Sequence, residues 1–144
     1  IIAAGGIVDG TGMAAVFAAG AEGIQMGTRF VSSKESPVHD NFKNKILDST
    51  IQGTWILNKT SKPVIRALRT DFTKKIHEAG VMEMNDMSNI QDLYFGGDMN
   101  AAPALSGQSV GLIDEVKSVK DIIDQTVLEF NETCNNLSSF KLEV

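Results

Sequence analysis

The apolar positions of this chain change period several times along its 144 residues, and each change marks an element. Ile1 to Ala4 is an unbroken apolar run closed by Gly5-Gly6, the pattern of a strand covered on both faces. Asp9 to Gly12 then turn the chain into a helix from about Thr11 to Ala19. Met13, Val16, Phe17 and Gly20 fall there at helical spacing, and Gly20 supplies the stop. Gly23 to Met26 form a second short strand, ended by Gly27-Thr28. A strand, helix and strand this close together imply parallel strands and an α/β architecture.

Further along, Pro37 breaks the chain before a helix with Phe42, Ile46 and Leu47 on one face and Asp40, Lys43 and Lys45 on its exposed side. Residues 50 to 63 are β-branched and punctuated by Gly, Asn and Pro. They predict a strand or hairpin, followed by a helical turn at Val64 to Leu68. Thr70 or Asp71 caps a helix that reaches Ala79 and stops at Gly80, Met82 to Met87 reads as a loop, and another helix is predicted between Ser88 and Phe95. Phe95 to Asp98 and Leu105 to Ile113 form a second glycine-punctuated region of small residues, suited to close packing against a ligand or another helix. The last helix, Ser118 to Leu137, carries one apolar stripe of Val119, Ile122, Ile123, Val127, Phe130, Cys134 and Leu137, and predicts an outer helix with one buried face.

Composition removes several classes of function. With 42% hydrophobic and 22% charged residues the chain is ordinary globular material. A formal charge of -5 argues against a dedicated nucleic-acid binder, and the densest basic stretch, Arg66, Arg69, Lys74 and Lys75 with Asp71 among them, reads as a solvated face. A single cysteine, Cys134, rules out an intrachain disulfide, is expected in the core, and fits a reducing, cytoplasmic compartment. No apolar run has membrane-spanning length, and Ile1-Ile2-Ala3-Ala4 has no signal-peptide features, so the chain reads as begun in mid-strand. No residue cluster has metal-ligand spacing or a nucleophile signature. His39 and His77 sit at helix ends, where protonated imidazole at the second would suit the dipole, and Trp55 is a packing residue or lines a cleft.

The candidate chemistry lies in the paired glycine turns. A phosphate held without lysine needs several backbone N–H groups aimed at one spot, and glycine lets the chain come that close. Gly5-Gly6 and Gly27-Thr28 both lie at the carboxyl ends of strands predicted to be adjacent and parallel, where barrel enzymes build phosphate sites. Gly10-Thr11-Gly12-Met13-Ala14-Ala15, with Glu35 further on, matches the letters of a dinucleotide fingerprint. In that fingerprint the first glycine follows the strand directly, whereas here the strand ends earlier, at Gly5, so the match is read as accidental.

Three stretches, Ala3 to Gly10, Gly20 to Val31 and Lys34-Glu35-Ser36, closely resemble the family of FMN-dependent enoyl-ACP reductases of the FabK type and nitronate monooxygenases, once called 2-nitropropane dioxygenases. The resemblance continues through His39 to Leu47, Val64 to Thr70 and Ser106 to Ile113, and is weakest over residues 82 to 100. IMP dehydrogenases share a similar glycine pairing, but Gln25 to Phe30 followed by Lys34-Glu35-Ser36 fits the flavin family better. The resemblance implies the C-terminal part of a TIM (β/α)8 barrel, with a smaller, mainly helical region added. Residues 1–36 would be the last two β/α units, 37–104 an inserted subdomain, and 105–144 a return segment with the long C-terminal barrel helix. It implies FMN phosphate bound by Gly5, Gly6, Gly27 and Thr28, with Ala4, Gln25 and Met26 beside them. A whole barrel needs roughly 250 residues, so the family's catalytic histidine would lie ahead of this chain, and neither His39 nor His77 inherits that role.

The function so implied is an NAD(P)H-dependent enoyl-ACP reductase of fatty acid synthesis, with acyl carrier protein as substrate, the N-terminal part of the same barrel as structural partner, and a homodimer as the assembly. The alternative within the family is nitronate monooxygenase, oxidising alkyl nitronates with oxygen. A reading of another class is a non-catalytic half-barrel that acts as an interaction module through an open sheet edge.

Overall fold

A computed structural model of the chain describes residues 1–140. In it β1 (Ile2–Ala4) and β2 (Gly23–Gln25) pair in parallel, with Ile2 opposite Gly23 and Ala4 opposite Gln25. α1 (Gly10–Ala18) makes the crossover between them; Asp9 Oδ1 accepts the Gly12 amide at 2.7 Å to start it. Gly20, at φ +99°, turns the chain after Ala19, as predicted. Because the register is flush, the chain leaves both strands at the same level, and Gly5-Gly6 comes to lie beside Gly27. Among the described residues β1 pairs only with β2, and Ile1 and Ile2 remain exposed.

α2 (Thr28–Val31) follows β2 directly, and α3 (Asp40–Leu47) begins at His39, whose Nδ1 accepts the Asn41 amide. Phe42 and Ile46 of α3 are fully buried as the pattern predicts, but Lys43, expected on the exposed side, is only 8% exposed. β3 (Thr54–Leu57) and β4 (Ile65–Leu68) form an antiparallel hairpin. The helical turn predicted at Val64 to Leu68 is therefore a strand. Ala67 packs into a small cluster with Leu57 and Ile76, while Leu68 packs into the main core. With both faces buried, β4 shows no polar-apolar alternation to announce it.

α4 (Asp71–Ala79) is capped by Thr70: its hydroxyl accepts the Thr73 amide at 3.1 Å, and the Thr73 hydroxyl accepts the Thr70 amide at 2.9 Å. Gly80, at φ +76°, stops it. Thr70→Ala removes one half of this reciprocal cap and is expected to cost about 1 kcal/mol of stability, read as a lower urea midpoint with an unchanged slope.

The loop predicted at Met82 to Met87 contains a 3₁₀ turn, Met84–Met87, and the helix predicted from Ser88 to Phe95 is reduced to a helical start ending in a π turn, Asp92–Gly96. The main core joins Val8, Phe42, Ile46, Leu68, Leu93, Ala102, Ala104, Val110 and Ile113, so residues from the first turn, α3, β4 and the 102–113 segment share one interior.

α5 (Val119–Ser138) starts as predicted, with Ser118 accepting the Asp121 amide. Its inner side packs on α1, where Phe17 meets Phe130 edge-on at 5.3 Å. The stripe is not buried along its whole length: Ile122 is buried, but Ile123, Val127 and Leu137 are about half exposed, and Cys134, expected in the core, is exposed. α1 has nine residues against twenty in α5, so α5 outruns its cover. No described helix is long and apolar enough to cross a membrane.

Candidate functional site

The flush ends of β1 and β2 open into a hollow of about 270 Å3. Ala4, Gly5, Gly6, Gln25, Gly27 and Thr28 all line it; Met26, between two of them, does not. Gly5 and Gly6 have φ of +91° and +75°, a conformation that glycine adopts without strain. A Cβ built on Gly5, Gly6 or Gly27 meets no atom within 4 Å, so the bare backbone at these positions answers no packing need inside the chain. It leaves room for a group from outside.

Three further lining residues, Ile7, Gly107 and Ser109, were not among the site residues predicted. The signal for the last two was the glycine-punctuated stretch Leu105 to Ile113, whose small residues suit close approach to a ligand. Thr28 brings that stretch to the cup: its Oγ1 accepts the Gly107 amide at 2.8 Å and the Ser106 hydroxyl at 3.5 Å. With its oxygen engaged twice, the Thr28 hydroxyl still has a proton to give.

The adjacent Arg29 anchors the far end of the same stretch. It is buried, and its Nη1 donates to the Glu115 carbonyl at 2.9 Å and to Ser32 Oγ at 3.2 Å. Burial lowers its pKa, while the charges of Glu115, Asp114 and Glu129 act to raise it, and a guanidinium remains charged under these influences. Thr28 and Arg29 thus pin both ends of one loop over the glycine turns.

No ionised side chain lines the cup. Among the described residues, the amides of Gly6, Ile7 and Thr28 donate to no group of the chain, and Thr28 and Ser109 add hydroxyls. A donor-rich, cation-free hollow this small suits the phosphate end of an organic ligand. The dinucleotide-like letters serve another purpose. Gly10 and Gly12 lie within α1, away from the cup, and Glu35 Oε2 accepts the Val119 amide at 2.9 Å to cap α5. His39 caps α3, and His77 Nδ1 faces the Ile56 carbonyl at 2.8 Å while Nε2 faces Lys59 Nζ at 3.2 Å. No described cluster of His, Cys, Asp and Glu is arranged to hold a metal ion.

The nitronate monooxygenase family model matches residues 1–129, and the chain belongs to that family. A probable nitronate monooxygenase of Staphylococcus saprophyticus is 31% identical over 94% of this chain and 40% of the relative. A (3aS,4S,5R,7aS)-5-hydroxy-7a-methyl-1-oxo-octahydro-1H-indene-4-carboxyl-CoA dehydrogenase of Rhodococcus jostii is 28% identical over 90% of this chain and 49% of the relative. The structure of FabK from Thermotoga maritima superposes with a TM-score of 0.89 at 43% identity, covering 97% of this chain and 47% of FabK. The chain thus shares its α/β fold with FabK and spans about half the length of the relatives it matches.

Proposed function

We propose that this chain carries the FMN-phosphate site of an FMN-dependent enoyl-ACP reductase that uses NAD(P)H. The observation that carries the reading is the uncharged cup at two flush parallel strand ends, whose three bare glycines leave space that no part of the chain fills. The Gly6, Ile7 and Thr28 amides and the Thr28 and Ser109 hydroxyls would hold the phosphate, and Ala4 and Gln25 flank it. FMN, when bound, supplies the two-electron redox chemistry. The chain's own residues fix the cofactor by its phosphate, and the loop pinned by Thr28 and Arg29 keeps the wall of the cup in place.

In this reading residues 1–36 are the last two β/α units of a (β/α)8 barrel, 37–104 a smaller subdomain, and 105–144, of which 141–144 lie outside the described residues, the return segment and outer helix. The free flanks of β1 and β2 are where the remaining barrel strands pair. The 43% identity to FabK favours the reductase and an acyl carrier protein substrate. The match to the nitronate monooxygenase family model and the staphylococcal relative favour the second reading, oxidation of alkyl nitronates with oxygen.

Anaerobic mixing of the complete, flavin-loaded protein with each reductant tests both. The reductase reading expects bleaching of the flavin bands by NADH or NADPH and reoxidation by an enoyl thioester. Bleaching by an alkyl nitronate alone selects the monooxygenase. A protein that never takes up flavin overturns both and leaves a non-catalytic module.

A further inference from the structure

A second recess, of about 340 Å3, lies where the β3–β4 hairpin, α3 and the start of α4 meet; it shares no lining residue with the glycine cup. Lys45 of α3, Arg69 after β4 and Lys74 of α4 line it, together with Trp55, Asp71 and Asn100. Three cations thus face one carboxylate, in a chain whose net charge is -5. Local charge of this sign, against the sign of the whole molecule, needs a reason.

The cations are not absorbed by internal ion pairs. Among the described residues, Lys45 Nζ and the terminal nitrogens of Arg69 have no acceptor, and the only partner of Lys74 is Glu78 at 3.9 Å, an exposed contact worth little. Arg69 is held in place: its Cζ lies 3.8 Å from the centroid of the Trp55 ring, and its Nε points to the Thr54 carbonyl at 3.4 Å. Trp55 is in turn backed by His77, at 4.2 Å between ring centroids. The stack orients the guanidinium and leaves its two NH2 groups free, the fork geometry that suits phosphate oxygens. With Asn100 Oδ1 taken by the Phe72 amide at 3.1 Å, that side chain offers its NH2 group as well.

We propose that this recess binds the phosphate-ester or pyrophosphate group of a small organic ligand, with Arg69 as the forked donor and Lys45 and Lys74 as flanking charges. A solvated basic face does not require the Trp55–Arg69–His77 stack; an oriented anion site does. The proposal is independent of the flavin reading, because the two sites have no residue in common.

Trp55 is the only tryptophan of the 144 residues and touches Arg69, so the part of the emission that a Trp55→Phe variant loses reports on the recess. In low-salt buffer, titration of the complete protein with inorganic pyrophosphate is expected to give a saturable change in that emission. Lys74→Gln, at an exposed side chain outside the core, is expected to weaken binding at least about tenfold, as is Arg69→Gln. Asp71→Asn should tighten it. Lys120→Gln, on the exposed face of α5, should have no effect. ADP binding more tightly than pyrophosphate identifies a nucleotide as the source, with its base against the stack; equal affinity identifies the phosphates alone. No saturable change, equal losses in the Lys74 and Lys120 variants, or unchanged affinity in both Lys74→Gln and Arg69→Gln would overturn the proposal. So would loss of the pyrophosphate response in a Gly27→Val variant, whose added side chain enters the glycine cup and not the recess, because it would place the anion in the cup instead.

Discussion

A Gly27→Val variant is expected to fold like the parent chain and to lose FMN. At φ -97° and ψ -74° the position tolerates a side chain, and a Cβ there meets nothing within 4 Å, so the chain itself has no objection to valine. The obstruction falls on whatever enters the cup. Displacing a phosphate from two charge-assisted amide hydrogen bonds costs about 3 kcal/mol, or roughly a hundredfold in affinity. Gly6→Val would also close the cup, but at φ +75° it adds about 1–2 kcal/mol of backbone strain, so loss of flavin there would be mixed with loss of fold.

Riboflavin isolates the effect, because it shares the ring and lacks the phosphate. The parent protein should bind FMN far more tightly than riboflavin, and in Gly27→Val the two affinities should converge. Thermal unfolding checks that the variant is intact. A Gly27→Val protein that purifies yellow, with full FMN occupancy, would remove the cup from the flavin site.

The elements around that cup were legible in sequence because each is local. The run Ile1 to Ala4, the helix capped by Asp9 and stopped by Gly20, and the second strand before Gly27 all carry their own start and stop signals. A flush parallel register then follows from two strands of similar length on either side of a short crossover. Thr70 and Gly80 announced α4 in the same way, and Ser118 announced α5.

What sequence missed depends on neighbours distant along the chain. The sequence of β4 reads as a helical turn because Ala67 and Leu68 are both fully buried, on opposite faces, which erases the period-two pattern. Cys134 sits on a helical stripe with no partner beyond the end of α1, so the pattern was right and the burial was not. Ser109 reaches the cup because Ser106 and Gly107 bond to Thr28, contacts across more than half of the chain. The Trp55–Arg69 stack joins β3 to the residue that follows β4, across a hairpin that the sequence only outlined.

The dinucleotide-like letters Gly10-x-Gly12 give the second large expected effect, since the two glycines should behave in opposite ways. A Cβ on Gly10 would lie 2.2 Å from the Phe130 amide nitrogen, 2.3 Å from the Thr126 carbonyl oxygen and 2.6 Å from Glu129 Cβ. Two of these are backbone atoms of α5, so nothing flexible can move aside and the helices must part. The Gly10 amide also donates to Glu129 Oε2 at 2.9 Å, a bond that such a shift would stretch. Gly10→Ala is therefore expected to destabilise by about 3 kcal/mol, a fall in Tm of roughly 10 °C for a chain of this size. At Gly12 the nearest atoms are Asp9 Oδ1 at 3.3 Å and Ile7 Cγ2 at 3.6 Å, a tolerable fit, and alanine gains up to about 1 kcal/mol of helix propensity. Gly12→Ala should leave stability unchanged or slightly raised. If the pair served a nucleotide instead of helix packing, Gly10→Ala would spare the Tm and remove a ligand; equal Tm values for the two variants would rule out the close approach of α1 and α5 as the reason for Gly10.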